Sequence, residues 1–290
     1  MGSVIADFTS WLTTERDDWD DPLEGRIILS EDQLVLAASK DEKLTISLDS
    51  VIDVSTGKLP RIFDPMPGTP ITIAYRDGMD KKVAAIGADE GTADKFVTVL
   101  FKALLNGTAV TIKHPAQVGG RVMDSSFQGG ILTLTTEAVQ FETDEGPVTI
   151  PLDSVVDFDR EKRVIDGVEK PVLVVSHMQT GEDLTTVAAT DSTQKLSILG
   201  RYLRQEYQSL LDSIKSMTLS EPETETLTSL YSMGDMDISL TSVLDESPKK
   251  VKRILHALHE KGLIESGENN PVLTAKGQIV VNEYLERVNA

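Results

Sequence analysis

The chain has 290 residues, 40% of them hydrophobic but only 5% aromatic, which allows two or three ordinary domains with largely aliphatic cores. It has no cysteine, which excludes disulfides, thiolate zinc sites and cysteine nucleophiles. With 47 acidic against 28 basic residues the net charge is −19, which works against nonspecific attraction to DNA, RNA or anionic lipid. The acidity runs along the whole chain instead of gathering in a tail, as suits either a protein kept hydrated in a salt-rich cytoplasm or an ordinary acidic protein. The N-terminus lacks a basic stretch followed by an apolar run, and no apolar run approaches the roughly 18 residues of a spanning helix. A cytoplasmic location without membrane insertion is expected.

Residues 1–23 read as an amphipathic helix and an acidic loop. Val4, Ile5, Phe8, Trp11 and Leu12 fall at i, i+1, i+4, i+7 and i+8, one face of a helix that would dock on a neighbouring domain or a partner. That face also leaves a homo-oligomer open. The run from Asp17 to Pro22, with Trp19 inside it, reads as a solvated acidic turn, because its carboxylates lack the spacing of a calcium loop.

Residues 24–107 read as seven short strands and a helix. The strands are expected at Arg26–Leu29, Leu34–Ala38, Leu44–Leu48, Val51–Ser55, Arg61–Phe63, Ile71–Tyr75 and Val83–Ile86, separated by turn-forming residues. The helix carries Ala93, Phe96, Val97, Leu100, Phe101 and Leu104 on one face, and Asn106-Gly107 closes it.

Residues 108–214 repeat that order. Leu48-Asp49-Ser50-Val51-Ile52-Asp53 returns 104 positions later as Leu152-Asp153-Ser154-Val155-Val156-Asp157. Gly25–Ser30 aligns with Gly130–Thr135, Arg61–Asp64 with Arg163–Asp166, and Pro70–Ile73 with Pro171–Val174. Self-similarity at that spacing marks a duplicated whole domain, since solenoid units run to roughly 20–50 residues. Ala109–Lys113 is left as an edge strand or a link, and the closing helix has Leu196, Leu199, Leu203, Leu210 and Leu211 along one stripe. Seven antiparallel strands capped by a helix describe a pleckstrin-homology-like β-barrel, so two of these are expected in tandem, an α+β fold.

Residues 215–290 change character. A helix begins at Ser220-Glu221-Pro222, a short one spans Leu240–Leu244, and Ser247-Pro248 opens a third with Val251, Ile254, Leu255 and Leu258 on its buried stripe. A hairpin of Leu263–Glu265 and Val272–Thr274, turning at Gly267–Asn270, precedes a last helix from Ala275 to Val288. This order is that of a winged helix-turn-helix.

No nucleotide-binding, hydrolase or metalloprotease motif is present, and neither an enzyme activity nor a cofactor is expected. His256 and His259 could share a metal but lack a third ligand, and read as a surface pair. The paired Leu-Asp-Ser segments read as strand-to-strand turns in which Asp and Ser cap backbone amides. Where pleckstrin-homology-like domains bind phosphoinositides, this chain has Ser30-Glu31-Asp32 and Thr135-Thr136-Glu137, whose carboxylates repel phosphate. The positive feature is the third helix of the last module, with Lys249, Lys250, Lys252 and Arg253 in its first half and Lys261 at its end. Such a face suits an acidic protein partner. It also suits a DNA major groove, although the proposed wing lacks Arg and Lys and nucleic acid is the weaker expectation. The proline-rich stretch Lys58–Pro70 offers Phe63 and Met66 either as rigidly held anchors or as a lid on the sheet.

Taken in order, the N-terminal Ala6-Asp7-Phe8 segment, the two Leu-Asp-Ser-Val-[Ile/Val]-Asp repeats and the Lys276-Gly277 opening of the last helix resemble the archaeal taxis adaptor family CheF across essentially the whole chain. The resemblance implies a non-enzymatic adaptor coupling the response regulator CheY to the archaellum switch proteins ArlC, ArlD and ArlE. No family motif assigns partner-binding residues. On physical grounds Lys249, Lys250, Lys252 and Arg253 are the first choice for a CheY face, because response regulators expose acidic surface. Phe63 and Met66 are the choice for a motor-side contact. The alternative is a winged-helix transcriptional regulator.

Overall fold

The computed structural model describes residues 2–15, 21–179, 181–233, 244, 246–266 and 271–289. The expected acidic turn around Trp19, most of the short helix Leu240–Leu244 and the hairpin turn Gly267–Asn270 lie outside these residues.

The fold is mixed α and β, built on two large antiparallel sheets. The first contains β1 (Val4–Thr14), β2 (Leu23–Ser30), β3 (Gln33–Ala37), β4 (Lys43–Ser47), β5 (Val51–Thr56), β6 (Thr69–Asp77) and β7 (Asp80–Ala88), followed by helix α1 (Glu90–Leu105). The second contains β8 (Thr108–Val118), β9 (Arg121–Val122), β10 (Gln128–Leu134), β11 (Ala138–Thr143), β12 (Gly146–Pro151), β13 (Val155–Ile165), β14 (Val168–Gln179) and β15 (Glu182–Thr190), followed by α2 (Thr193–Lys215). The strand orders are β4-β3-β2-β1-β7-β6-β5 and β12-β11-β10-β8-β15-β14-β13, with β9 pairing β8. The duplication in sequence is thus a duplication in topology. Neither sheet closes, since β4 and β5 in one and β12 and β13 in the other are free edges, so the closed barrels expected are open sheets.

Three expectations need correction. The N-terminal segment is strand β1, not a helix. Its Leu12 is fully buried, and the strand sits between β2 and β7 with hydrogen bonds to both. The helical spacing of its apolar residues loses because two neighbouring strands offer pairing to its backbone, and Thr9, Thr13 and Thr14 favour extended structure. The first sheet therefore starts at Val4, and Ala109–Lys113 is likewise part of an interior strand, β8. The third correction is Arg61–Phe63, which forms a turn instead of a strand. Pro60, Pro65 and Pro67 lack the amides a ladder needs. The matching segment of the second repeat has no such interruption, so β13 and β14 run on as one long hairpin, turning at Asp166-Gly167 with φ of 52° and 77°.

Each Leu-Asp-Ser segment is a single 3-10 turn, Leu48–Ser50 and Leu152–Ser154, leading into a strand with a register shift at the same place. The turns are as expected but their bonding differs. Ser50 and Ser154 donate to the carbonyls of Ser47 and Pro151, each at 2.7 Å, and no aspartate caps the turn.

The two repeats share one hydrophobic core. Helix α1 packs on its own sheet and on β10, while α2 packs on β14, β15 and the first sheet's β5. Phe101 and Tyr202 meet at the centre with ring centroids 5.3 Å apart, both essentially inaccessible to solvent. Each such side chain contributes about 1.5–3 kcal/mol through burial. Polar bonds reinforce the seam: Lys195 Nζ donates to Leu104 O at 2.6 Å, and Arg201 holds Asp53 through two bonds of 2.9 Å.

Helix α2 continues beyond that core. Its later residues Tyr207, Leu210, Leu211 and Ile214 join a separate cluster formed by α3 (Glu221–Met233), α4 (Pro248–Glu260), the short pair β16 (Ile264–Glu265) and β17 (Val272–Leu273), and α5 (Ala275–Asn289). The second repeat's Val156 also packs there.

Candidate functional site

Helix α4 forms where the sequence provides both ends. Ser247 is the N-cap, Pro248 occupies the first turn where its missing amide costs nothing, and Gly262 (φ 68°) reverses the chain after Lys261. Gly262 N donates to His259 O at 2.9 Å and Leu263 N to Leu258 O at 3.0 Å. These are the two bonds of a Schellman stop, and Leu258 and Leu263 are both fully buried beneath it.

Val251 and Leu258 anchor the helix, with Ile254 and Leu255 partly buried beside them. Lys249, Lys252, Arg253 and His256 project from the opposite side, all exposed. Their i, i+3, i+4, i+7 spacing makes one continuous basic stripe. Among the described residues, no carboxylate pairs with Lys249, Lys252 or Arg253, whereas His256 Nε2 approaches Glu260 Oε1 at 3.5 Å.

The other expected site residues part from this stripe. Lys250 is half-buried and pairs with Glu246 one turn earlier. Lys261 turns inward, donating to Thr218 O at 3.0 Å and to Glu223 Oε1 at 2.6 Å. Burial alone would raise the Glu223 carboxyl, but the bonds from Lys261 and from the amide and hydroxyl of Ser220 outweigh it and hold the group below its ordinary value. Lys261 is therefore a structural clamp between the ends of α3 and α4.

Phe63 is only 8% exposed, so its ring turns inward and offers little surface as an anchor. Met66 is half-buried beside the Gly87 backbone, where a side chain on Gly87 would collide with it. The exposed apolar side chain of this loop is Ile62, at 63%. Ile62 was missed because the sequence placed it in a strand at Arg61–Phe63, whereas it lies in an irregular loop in which no periodicity tells inside from outside.

His256 and His259 are both exposed. Among the described residues no helix is long and apolar enough to cross a membrane.

A family model described as "Archaeal Chemotaxis signal transduction system protein F" matches residues 4–209. It thus begins at β1, includes both sheets and ends within α2, leaving the module that carries α4 beyond its reach. Across nearly the full length of both chains, 38% of residues are identical to "Taxis protein CheF2" of Halobacterium salinarum, over 99% of each. A second protein of that organism, "Taxis protein CheF1", is 28% identical over 90% of this chain and 88% of its own.

Proposed function

The chain belongs to the family of archaeal chemotaxis signal transduction system protein F, and from that premise we propose that it is a non-enzymatic cytoplasmic adaptor joining the response regulator CheY to the archaellum switch proteins ArlC, ArlD and ArlE. A role in archaeal chemotaxis signalling follows from the family and from the taxis proteins it resembles. The observation that carries the finer reading is the basic stripe of α4. Among the described residues Lys249, Lys252 and Arg253 stand exposed without carboxylate partners on a chain of net charge −19, and acidic surface is what such a stripe attracts. In this reading the two repeats are pleckstrin-homology-like recognition domains, the last module is a winged helix turned to protein recognition, and Ile62 replaces Phe63 beside Met66 as the motor-side apolar contact.

The test is titration calorimetry of the full chain with CheY, with and without a phosphoryl mimic. Activated CheY is expected to bind tighter by roughly 5–150-fold, the range of ordinary coupling energies. The triple variant Lys249→Glu, Lys252→Glu, Arg253→Glu is expected to abolish that binding while melting like the parent chain. The helix-and-hairpin character of the last module favours DNA as the second reading. Duplex binding with steep salt dependence and no CheY binding would replace the adaptor with a regulator.

A further inference from the structure

Beside the first turns of α2, between the two repeats, lies a groove of about 710 Å³. β5, the β6–β7 hairpin, β13, β14 and α2 line it. The hairpin, β13 and α2 bring positive charge. Arg76 and Lys81 are direct cross-strand partners, Arg160 comes from β13, and Arg201 and Arg204 lie three residues apart on α2. Like charges directly opposite in a sheet repel, so the fold tolerates an unfavourable pair in Arg76 and Lys81, whereas Arg201, one turn from Arg204, is neutralised by Asp53.

The two carboxylates of the groove leave its other cations without an ion pair. Asp53 is occupied by its paired bonds to Arg201. Asp159 Oδ1 accepts the amide of Arg160 at 2.7 Å. Among the described residues the Arg160 guanidinium reaches only the hydroxyl of Ser197, at 3.0 Å. Nearby Asp77 is taken by Lys82. Among the described residues Arg76, Lys81 and Arg204 enter no ion pair, and all three are exposed. On a chain with 47 acidic residues against 28 basic ones, a groove lined by five cations and two carboxylates runs against composition.

We propose that this groove docks an acidic, extended segment of a partner protein. Its carboxylates would lie against Arg76 and Lys81 on one wall and Arg160 and Arg204 on the other. Ile52, Phe158 and Leu173 provide an apolar floor for a side chain between them. A single compact anion fits less well. It would meet one pair of cations, leave the other pair facing solvent and leave the floor uncovered. The groove is a separate surface from the α4 stripe, and the proposal stands whether or not that stripe binds CheY. With both in use, one chain would hold two acidic partners at once.

The test uses the full chain and a fluorescein-labelled Asp/Glu peptide with one central leucine, read by fluorescence anisotropy at low and high salt. Binding is expected, and Arg76→Glu, Lys81→Glu and Arg204→Glu together should weaken it roughly tenfold or more. These side chains are exposed and unpaired, so the variant should keep the parental melting temperature, and the neutral set Arg76→Gln, Lys81→Gln, Arg204→Gln should give an intermediate loss. The α4 triple reversal should leave peptide affinity unchanged. The proposal is overturned if the peptide does not bind, or if only the α4 reversal abolishes its binding. It is equally overturned if inorganic pyrophosphate binds the groove while the peptide does not. A failure of CheY to bind, with peptide binding intact, would sink the adaptor reading alone.

Discussion

His177, buried to 1% exposure on β14, shares the hydroxyl of Thr186 with His114. The Thr186 oxygen lies 3.0 Å from His177 Nε2 and 2.8 Å from His114 Nδ1, and the two rings stack with centroids 5.8 Å apart. One hydroxyl can donate to one ring and accept from the other, so two neutral imidazoles satisfy it. His177 Nδ1 is buried without a partner, so a proton placed there would be poorly solvated. Burial, and secondarily the charge of His114, pushes the His177 pKa down to about 4. The unfolded chain takes up this proton near pH 6.5 and the folded chain does not, so stability is full above that pH and falls as pH drops toward 4. The loss from this group is on the order of 3 kcal/mol. His177→Phe places an aromatic ring where the first repeat has Tyr75 in the matching register, and leaves Thr186 its bond to His114. Urea unfolding at pH 7 and pH 4.5 should show a clearly smaller acid loss in this variant. Equal losses in the two proteins would mean that carboxylates alone govern the acid limb.

Among the elements, α5 shows how one glycine fixes an approach. Gly277 lies in its first turn, and a Cβ there would come within 2.0 Å of the Leu263 carbonyl oxygen, next to β16. In an unconstrained helix Gly→Ala stabilises by about 1 kcal/mol. Here the sign should invert, because the backbone of the hairpin must move aside. Gly277→Ala is expected to destabilise the last module by about 1–3 kcal/mol, read as a lower melting temperature. A rise in melting temperature would show that α5 and β16 are not held in contact. The Lys276-Gly277 pair was visible as a motif, but its reason lies in a contact that spacing cannot reveal. The reverse holds for β1. The repeat offset of 104 that relates Leu48 to Leu152 also carries residues 4–14 onto 108–118, which form β8. The duplication therefore contained the signal for a strand, while the local apolar spacing pointed to a helix.

For the whole molecule, the consequence of the joint core is cooperativity. Tyr202 is packed among residues of both repeats, so Tyr202→Ala should cost roughly 3–5 kcal/mol. Calorimetry should show the repeats losing stability together in one shifted transition. Two separate transitions, only one of them moved, would show that the seam does not couple them. The duplicated motif also acquires two uses at this scale. In the first repeat Gln194 of α2 donates to the carbonyls of Asp49 and Val51 at the turn, and Arg201 grips Asp53. In the second repeat the matching turn lies against α2 and α5, and Val156 joins the last module's cluster. One copied segment thus seats the second repeat on the first, and the last module on the second.

The sequence by itself determined the duplication, most strand positions, the C-terminal end of α1, both ends of α4, and the basic half of α4, because each is written in local periodicity, capping residues or direct self-similarity. Only the tertiary structure decided that residues 4–14 lie between β2 and β7, that Phe63 and Lys261 turn inward, and that the repeats share a core. It alone brought Arg76, Arg160 and Arg204 to one groove. These outcomes depend on which backbone edges and side chains from different elements meet after the chain has folded, and no pattern within a single element encodes such a meeting.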